Sequence, residues 1–133
     1  MIITATIKND CQKNIITVAT ENVEKKIDIP TKATGPGSLV NGGELLFLAL
    51  ATCFCNDVYR EAAKRNMKVE SVEVIVSGEF GKEGEPGSNI KYDVKLMASE
   101  HTKEEIAELI LYVDKVAEVH NTLRQGAGVT LKL

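Results

Sequence analysis

From Leu45 to Cys55 the chain is apolar or small at every position except Thr52. It then turns charged at Asn56-Asp57 and continues as Tyr59-Arg60-Glu61-Ala62-Ala63-Lys64-Arg65. Leu and Ala favour helix, and neither Pro nor internal Gly interrupts the run. One long helix is therefore predicted from Asn41 to about Asn66, with Asn41 or a neighbour as its cap and Glu44 suited to the dipole of its first turn. The first half of this helix has no polar face, so it needs cover on every side. It is too short to cross a bilayer, which takes about 20 apolar residues. A chain of 133 residues can hardly enclose it alone, so an intertwined homodimer is expected.

Elsewhere the pattern alternates. Ile3–Ile7, Asn14–Ala19 and Val23–Ile29 are β-branched runs separated by the turn formers Asn9–Asn14 and Thr20–Asn22, which predicts a three-strand antiparallel meander. Cys11 falls in the first of these turns. Pro30 ends the third strand, and Thr34-Gly35-Pro36-Gly37-Ser38 reads as a loop. Val69–Phe80 puts Val72, Val74 and Val76 on one face of a strand, and Ile90–Ala98 returns as its partner after the loop 81–88. Thr102-Lys103-Glu104-Glu105 opens a second helix with a capping box. That helix carries Ile106, Leu109, Ile110, Val113, Val116 and Ala117 at helical spacing to about Val119, with a further turn over His120–Arg124. Gly126-Ala127-Gly128 then breaks the chain before a last strand, Val129–Leu133. The order βββ-α-ββ-α-β, with strands and helices segregated, is α+β, and residues 1–133 are read as one domain.

Composition narrows the function. The 26% charged and 44% hydrophobic content is that of an ordinary globular protein. A net charge of -3 with no basic block argues against nucleic acid. The first residues, Met1-Ile2-Ile3-Thr4-Ala5-Thr6, have no basic region, apolar stretch or cleavage site, so the cytoplasm is the expected compartment and no membrane is implied. Three cysteines in a reducing compartment do not suggest a disulfide framework. With only His101 and His120 beside them they also lack zinc spacing, so no metal or cofactor is expected. On a helix Cys53 and Cys55 point to nearly opposite faces, so one thiol at most carries chemistry and the other is packing. His120 reads as a helix-ending cation and His101 as a neighbour of an N-cap.

Gly35-Pro36-Gly37, Asn41-Gly42-Gly43-Glu44-Leu45-Leu46 and Ala51-Thr52-Cys53-Phe54 resemble the loop and central helix of the OsmC/Ohr family, the osmotically induced and organic-hydroperoxide-resistance proteins. The resemblance continues through Ala63–Val74 and Gly78-Glu79-Phe80 to Asn121-Thr122-Leu123-Arg124. It implies an OsmC-like fold and places Cys53 where the family's peroxide-attacking cysteine stands. By the same count Ala117 stands where the resolving cysteine would be, followed by Glu118 instead of Pro. The family's organising carboxylate falls on Gly43, with Glu44 beside it, and no arginine precedes Arg60.

Thiol attack on a peroxide needs a thiolate, and apolar burial raises a thiol's pKa. Cys53 therefore needs a cation. Arg60, two turns on, reaches either back to it or to Asp57 or Glu61, and Lys32 of a second copy is the other source. Two functions from different classes fit the residues. The first is a one-cysteine peroxidase for organic hydroperoxides, with Cys53 catalytic, Glu44 and Arg60 supporting, a pocket of Leu46, Phe47, Leu50 and Phe54, and an external thiol as reductant. The second is a non-catalytic homodimer of the same fold that binds a small apolar ligand.

Overall fold

The computed structural model describes residues 1–10 and 12–133, so the turn expected at Cys11 lies outside the described residues. Eight elements follow in order: β1 Ile3–Asn9, β2 Asn14–Thr20, β3 Val23–Lys26, α1 Gly42–Lys64, β4 Ser71–Glu79, β5 Ser88–Met97, α2 Lys103–Val116 and α3 Glu118–Gln125. They form two compact units, Met1–Leu45 and Leu46–Leu133.

The first unit is the antiparallel meander β1-β2-β3, in register from Ile3 opposite Thr20 to Asn9 opposite Asn14, and from Thr17 opposite Lys26 to Thr20 opposite Val23. Among its described residues only Ile16 and Ala19 are buried. Its loop is tied by Asn14, whose Nδ2 donates to the Ile29 carbonyl and to Ser38 Oγ, both at 2.9 Å. Gly37 takes φ +105° beneath the Lys32 side chain, which lies 3.6 Å from where a Cβ would stand. Asn41 and Glu44 form a reciprocal cap at the start of α1: Asn41 Oδ1 accepts from the Glu44 amide at 2.9 Å and Glu44 Oε2 accepts from the Asn41 amide at 3.2 Å.

The second unit holds the main core. β4 and β5 pair antiparallel with Val72, Val74 and Val76 opposite Leu96, Val94 and Tyr92. Strand periodicity turns all six to one half-buried face. Helix α1 contributes Phe54, Val58 and Ala62, and α2 with its C-cap contributes Leu109, Val113 and Ala117. Each set repeats every fourth residue, which is the spacing of one helix face. All six are nearly or fully inaccessible to solvent and form one cluster over the sheet. At α2's start Thr102 and Glu105 complete the capping box read from the sequence.

Two expectations change. The last strand does not form: residues 126–133 have no regular element, and Val129 and Leu131 are 99% and 81% exposed. Among the described residues their alternation pairs with no strand, and a lone strand cannot satisfy its backbone. The second helical stretch is also two helices. It breaks at Ala117, whose backbone is extended (φ -67°, ψ 105°), and α3 restarts at Glu118. Cover on α1 is one-sided. Leu50, Phe54 and Val58 are buried, while Leu48 remains 59% exposed. Among the described residues no helix is long and apolar enough to cross a membrane.

Candidate functional site

Cys53 lies about three turns into α1, on the stripe next to the one that faces the core. A residue four positions on shares its face, and that residue is Asp57. The thiol donates to Asp57 Oδ2 at 3.7 Å. Asp57 in turn accepts from Arg60 Nη1 at 2.8 Å. The Arg60 Nε is 3.0 Å from Glu61 Oε1, which also receives Lys64 Nζ at 2.8 Å. Glu118, in the first turn of α3, comes within 3.9 Å of Arg60. One helix face thus carries a chain of alternating charge that begins at a thiol. Arg60 is committed to carboxylates; of the two roles its position allowed, the ion pairs are the one the structure forms.

The sulfur, a carboxylate oxygen of Asp57 and one of Glu118 all lie within 4.8 Å of one another. Among the described residues this is the set of donors close enough to hold a metal ion together. The spacing argument applied to Cys and His misses it, because two of its members are carboxylates on different helices. Charge dictates the thiol's behaviour. Burial pushes the Cys53 pKa up; the Val119 backbone pulls it down; the Asp57 and Glu118 carboxylates push it up again, and the net direction is upward. Burial also raises Asp57, with Arg60 opposing and Glu118 reinforcing the rise. Both groups thus hold a proton more firmly than they would in water.

The other residues singled out from the sequence are dispersed. Glu44 is engaged in the α1 cap. Phe54 is fully buried in the core, its ring 5.1 Å from Tyr92. Phe47 lies over Gly78, where an added Cβ would meet its ring at 2.6 Å, and stacks 5.8 Å from Phe80. Gly78 is therefore a packing requirement. Leu46 is half-buried. Cys55 opens on a separate shallow groove with Ala51, Thr52, Asn56 and Val74. Ala117, the expected place of a second thiol, is fully buried at the joint of α2 and α3. His101 ties the start of α2 to the segment after α1, its Nε2 accepting from the Lys68 amide at 3.2 Å and its Nδ1 3.4 Å from Glu105.

Of the four expected pocket residues, Leu50 lines a cleft of about 270 Å³ together with Ser88, Asn89, Ile90, Tyr92, His120, Leu123 and Arg124. His120 corrects its sequence reading. It lies within the first turn of α3 and is 4% exposed, not a helix-ending cation. Its ring meets Tyr92 edge-on at 4.7 Å and Phe54 at 5.6 Å. Among the described residues no protein group pairs with either ring nitrogen. Burial, and then Arg124, lower its pKa, with Asp114 opposing, so the imidazole is neutral near pH 7. An unpaired buried polar group costs about 1–3 kcal/mol. Beside it Tyr92 donates to Asp114, and Arg124 Nη2 reaches the same carboxylate at 2.5 Å. Burial and that carboxylate push the Tyr92 pKa up to about 12.

The comparisons agree on the fold. Similar solved structures include an OsmC-like protein from Mycoplasma pneumoniae, with TM-score 0.62 and 21% identity over 93% of this chain and 89% of that one. An OsmC-like hydroperoxide resistance protein from Jannaschia has TM-score 0.60 and 18% identity over 98% and 91%. The organic hydroperoxide resistance protein OhrB of Bacillus subtilis has TM-score 0.54 and 19% identity over 97% and 96%. No curated protein matches the sequence. The model of the OsmC-like protein family matches residues 35–132, a span that holds α1, the β4-β5 pair, α2 and α3. The chain belongs to the OsmC-like family.

Proposed function

We propose that this protein reduces organic hydroperoxides at a single cysteine, Cys53, and that an external thiol completes turnover. The observation that carries the reading is the hydrogen bond from Cys53 to Asp57 Oδ2 at 3.7 Å; the Val119 backbone, unlike Asp57, favours the thiolate. Two of the similar structures are named as hydroperoxide resistance proteins. With Arg60 committed to carboxylates, Asp57 takes the part of a base. It accepts the thiol proton as sulfur attacks the outer peroxide oxygen. The O–O bond breaks, sulfur becomes a sulfenic acid, and the proton passes to the departing alkoxide, giving an alcohol. An external thiol then condenses with the sulfenic acid, releasing water and leaving a mixed disulfide, which a second thiol reduces. A reducing cytoplasm supplies such thiols. The open side of α1, with Leu48 59% exposed, supports a second copy as its cover and hence an intertwined homodimer.

A second reading has its own observation. Burial and two carboxylates hold the proton on Cys53, which suits a non-catalytic member of the fold. Trapping the sulfenic acid after sub-stoichiometric cumene hydroperoxide, with peptide mapping, separates the two. Label on Cys53, forming faster as pH rises toward and past the ordinary thiol range, is the expected result. Label on Cys11 or Cys55 with Cys53 untouched would leave the second reading standing.

A further inference from the structure

We propose that Asn41 is a site of spontaneous covalent modification, in which the Gly42 backbone nitrogen closes on the Asn41 side-chain amide and leaves aspartate or isoaspartate at the cap of α1. Asparagine is among the chemically labile residues. The inference does not rest on the thiol chemistry proposed above.

Three observations carry it. Asn41 is exposed and stands directly before a glycine. A side chain on the following residue crowds the ring closure, and every other asparagine of the chain precedes such a residue, as in Asn14-Ile15, Asn66-Met67 and Asn89-Ile90. The surroundings leave the approach open as well, since nothing lies within 4 Å of where a Cβ on Gly42 would stand.

The attacking nitrogen is also unencumbered by the helix. Gly42 is the first residue of α1, and the first amides of a helix have no intrahelical acceptor. The third observation concerns the group attacked. Asn41 Oδ1 accepts from the Glu44 amide at 2.9 Å, which folds the side chain toward the first turn, where Gly42 stands. That N–H is a fixed donor on the oxygen that becomes negative as the Asn41 Cγ is attacked, the arrangement that stabilises acyl-transfer intermediates.

The steps need no oxidant or reductant. Water takes the Gly42 amide proton, the nitrogen bonds to Asn41 Cγ, and the Cγ–Nδ2 bond breaks to release ammonia, which takes up the proton. Water then opens the succinimide ring at one of its two carbonyls. Opening at Cγ leaves aspartate, which ranks with asparagine as an N-cap. Opening at the backbone carbonyl leaves isoaspartate, whose main chain carries an extra methylene, and the reciprocal cap with Glu44 is lost.

The test is incubation of the full folded chain in mildly alkaline buffer, with peptide mapping by mass spectrometry and isoaspartate counted by an isoaspartyl methyltransferase. The Asn41 peptide is expected to shift by the mass difference between amide and acid and to accept methyl groups, while the Asn66 and Asn89 peptides stay unchanged. Gly42→Ala, for which the structure has room, should lose both signals. A folded chain that keeps Asn41 intact while the urea-unfolded chain converts it would overturn the proposal and make the cap a protection. Conversion in Gly42→Ala at the parent's rate would overturn it too, because closure would then not depend on the glycine.

Discussion

Cys53 and His120 share a neighbour in Phe54, adjacent to the thiol in sequence and 5.6 Å from the imidazole ring, yet their surroundings differ. The thiol begins a chain of charges through Asp57, Arg60, Glu61 and Lys64. The imidazole stands among aromatic rings with no protein hydrogen bond among the described residues. Burial is the first cause of the pKa shift at both, and it favours the neutral form at both: the proton stays on sulfur and leaves nitrogen. The second cause distinguishes them. At Cys53 the Val119 backbone opposes burial, so the thiolate has a stabilising group waiting. At His120 the Arg124 charge reinforces burial, so the imidazolium has little support. The net shift nonetheless keeps the proton on sulfur and the imidazole neutral.

Removing the shared neighbour should disturb both sites most. Phe54→Ala deletes a fully buried ring from the core cluster and should cost about 3–5 kcal/mol in chemical denaturation. His120 should become more exposed and its pKa rise toward that of a free imidazole, as read by NMR titration. If Phe54→Ala changes stability but leaves the His120 titration in place, the ring is not what keeps the imidazole dry.

The smaller substitution Asp57→Asn separates two roles of one carboxylate. As the base it is needed near pH 7, so sulfenic acid formation should fall on the order of a hundredfold there. As a negative charge it raises the Cys53 pKa, so its removal should move the thiol titration to lower pH. Rate against pH, together with thiolate absorbance, reads both. A faster reaction near pH 7 in Asp57→Asn would show that the carboxylate only restrains the thiol.

The smallest effect is a pH dependence of stability. The folded pKa of His120 lies below its unfolded value of about 6.5. As pH falls through that value the unfolded chain takes up a proton that the folded chain refuses, so stability should decline below about pH 6.5 until the folded pKa is reached. His120→Phe should flatten this limb, measured as melting temperature between pH 7 and pH 5. An unchanged limb would assign the acid sensitivity elsewhere, with Asp114 the next candidate. Its carboxyl is held low first by the Tyr92 hydroxyl and then by Arg124, and that stabilisation is lost only at more acid pH.

What could be read in advance follows the range of the forces involved. The period-two valines of β4, the capping box at Thr102 and the apolar run of α1 are local signals, and each element forms where they stand. Asp57 was visible one turn after Cys53, but its effect on the thiol depends on burial, which no spacing reports. In the sequence Glu118 stands out only as the residue in place of Pro after Ala117. The break at Ala117 begins a new helix there and brings its carboxylate beside the thiol. His120 read as a helix end because its neighbours in sequence are polar, whereas its neighbours in space, Tyr92 and Phe54, come from a strand and a helix far along the chain. The strand expected at 129–133 failed for the same kind of reason, since alternation fixes a face but cannot provide a partner.

By itself the sequence determined the α+β class and the position of the thiol on its helix, because helical and strand periodicities and a capping residue act within a few residues of one another; the family was legible through the resemblance of its motifs. The tertiary structure alone decided which charges surround Cys53, that Arg60 serves carboxylates, and that His120 is buried and neutral. Those outcomes turn on desolvation and on contacts between α1, β5, α2 and α3, and these forces depend on distance in space, not along the chain.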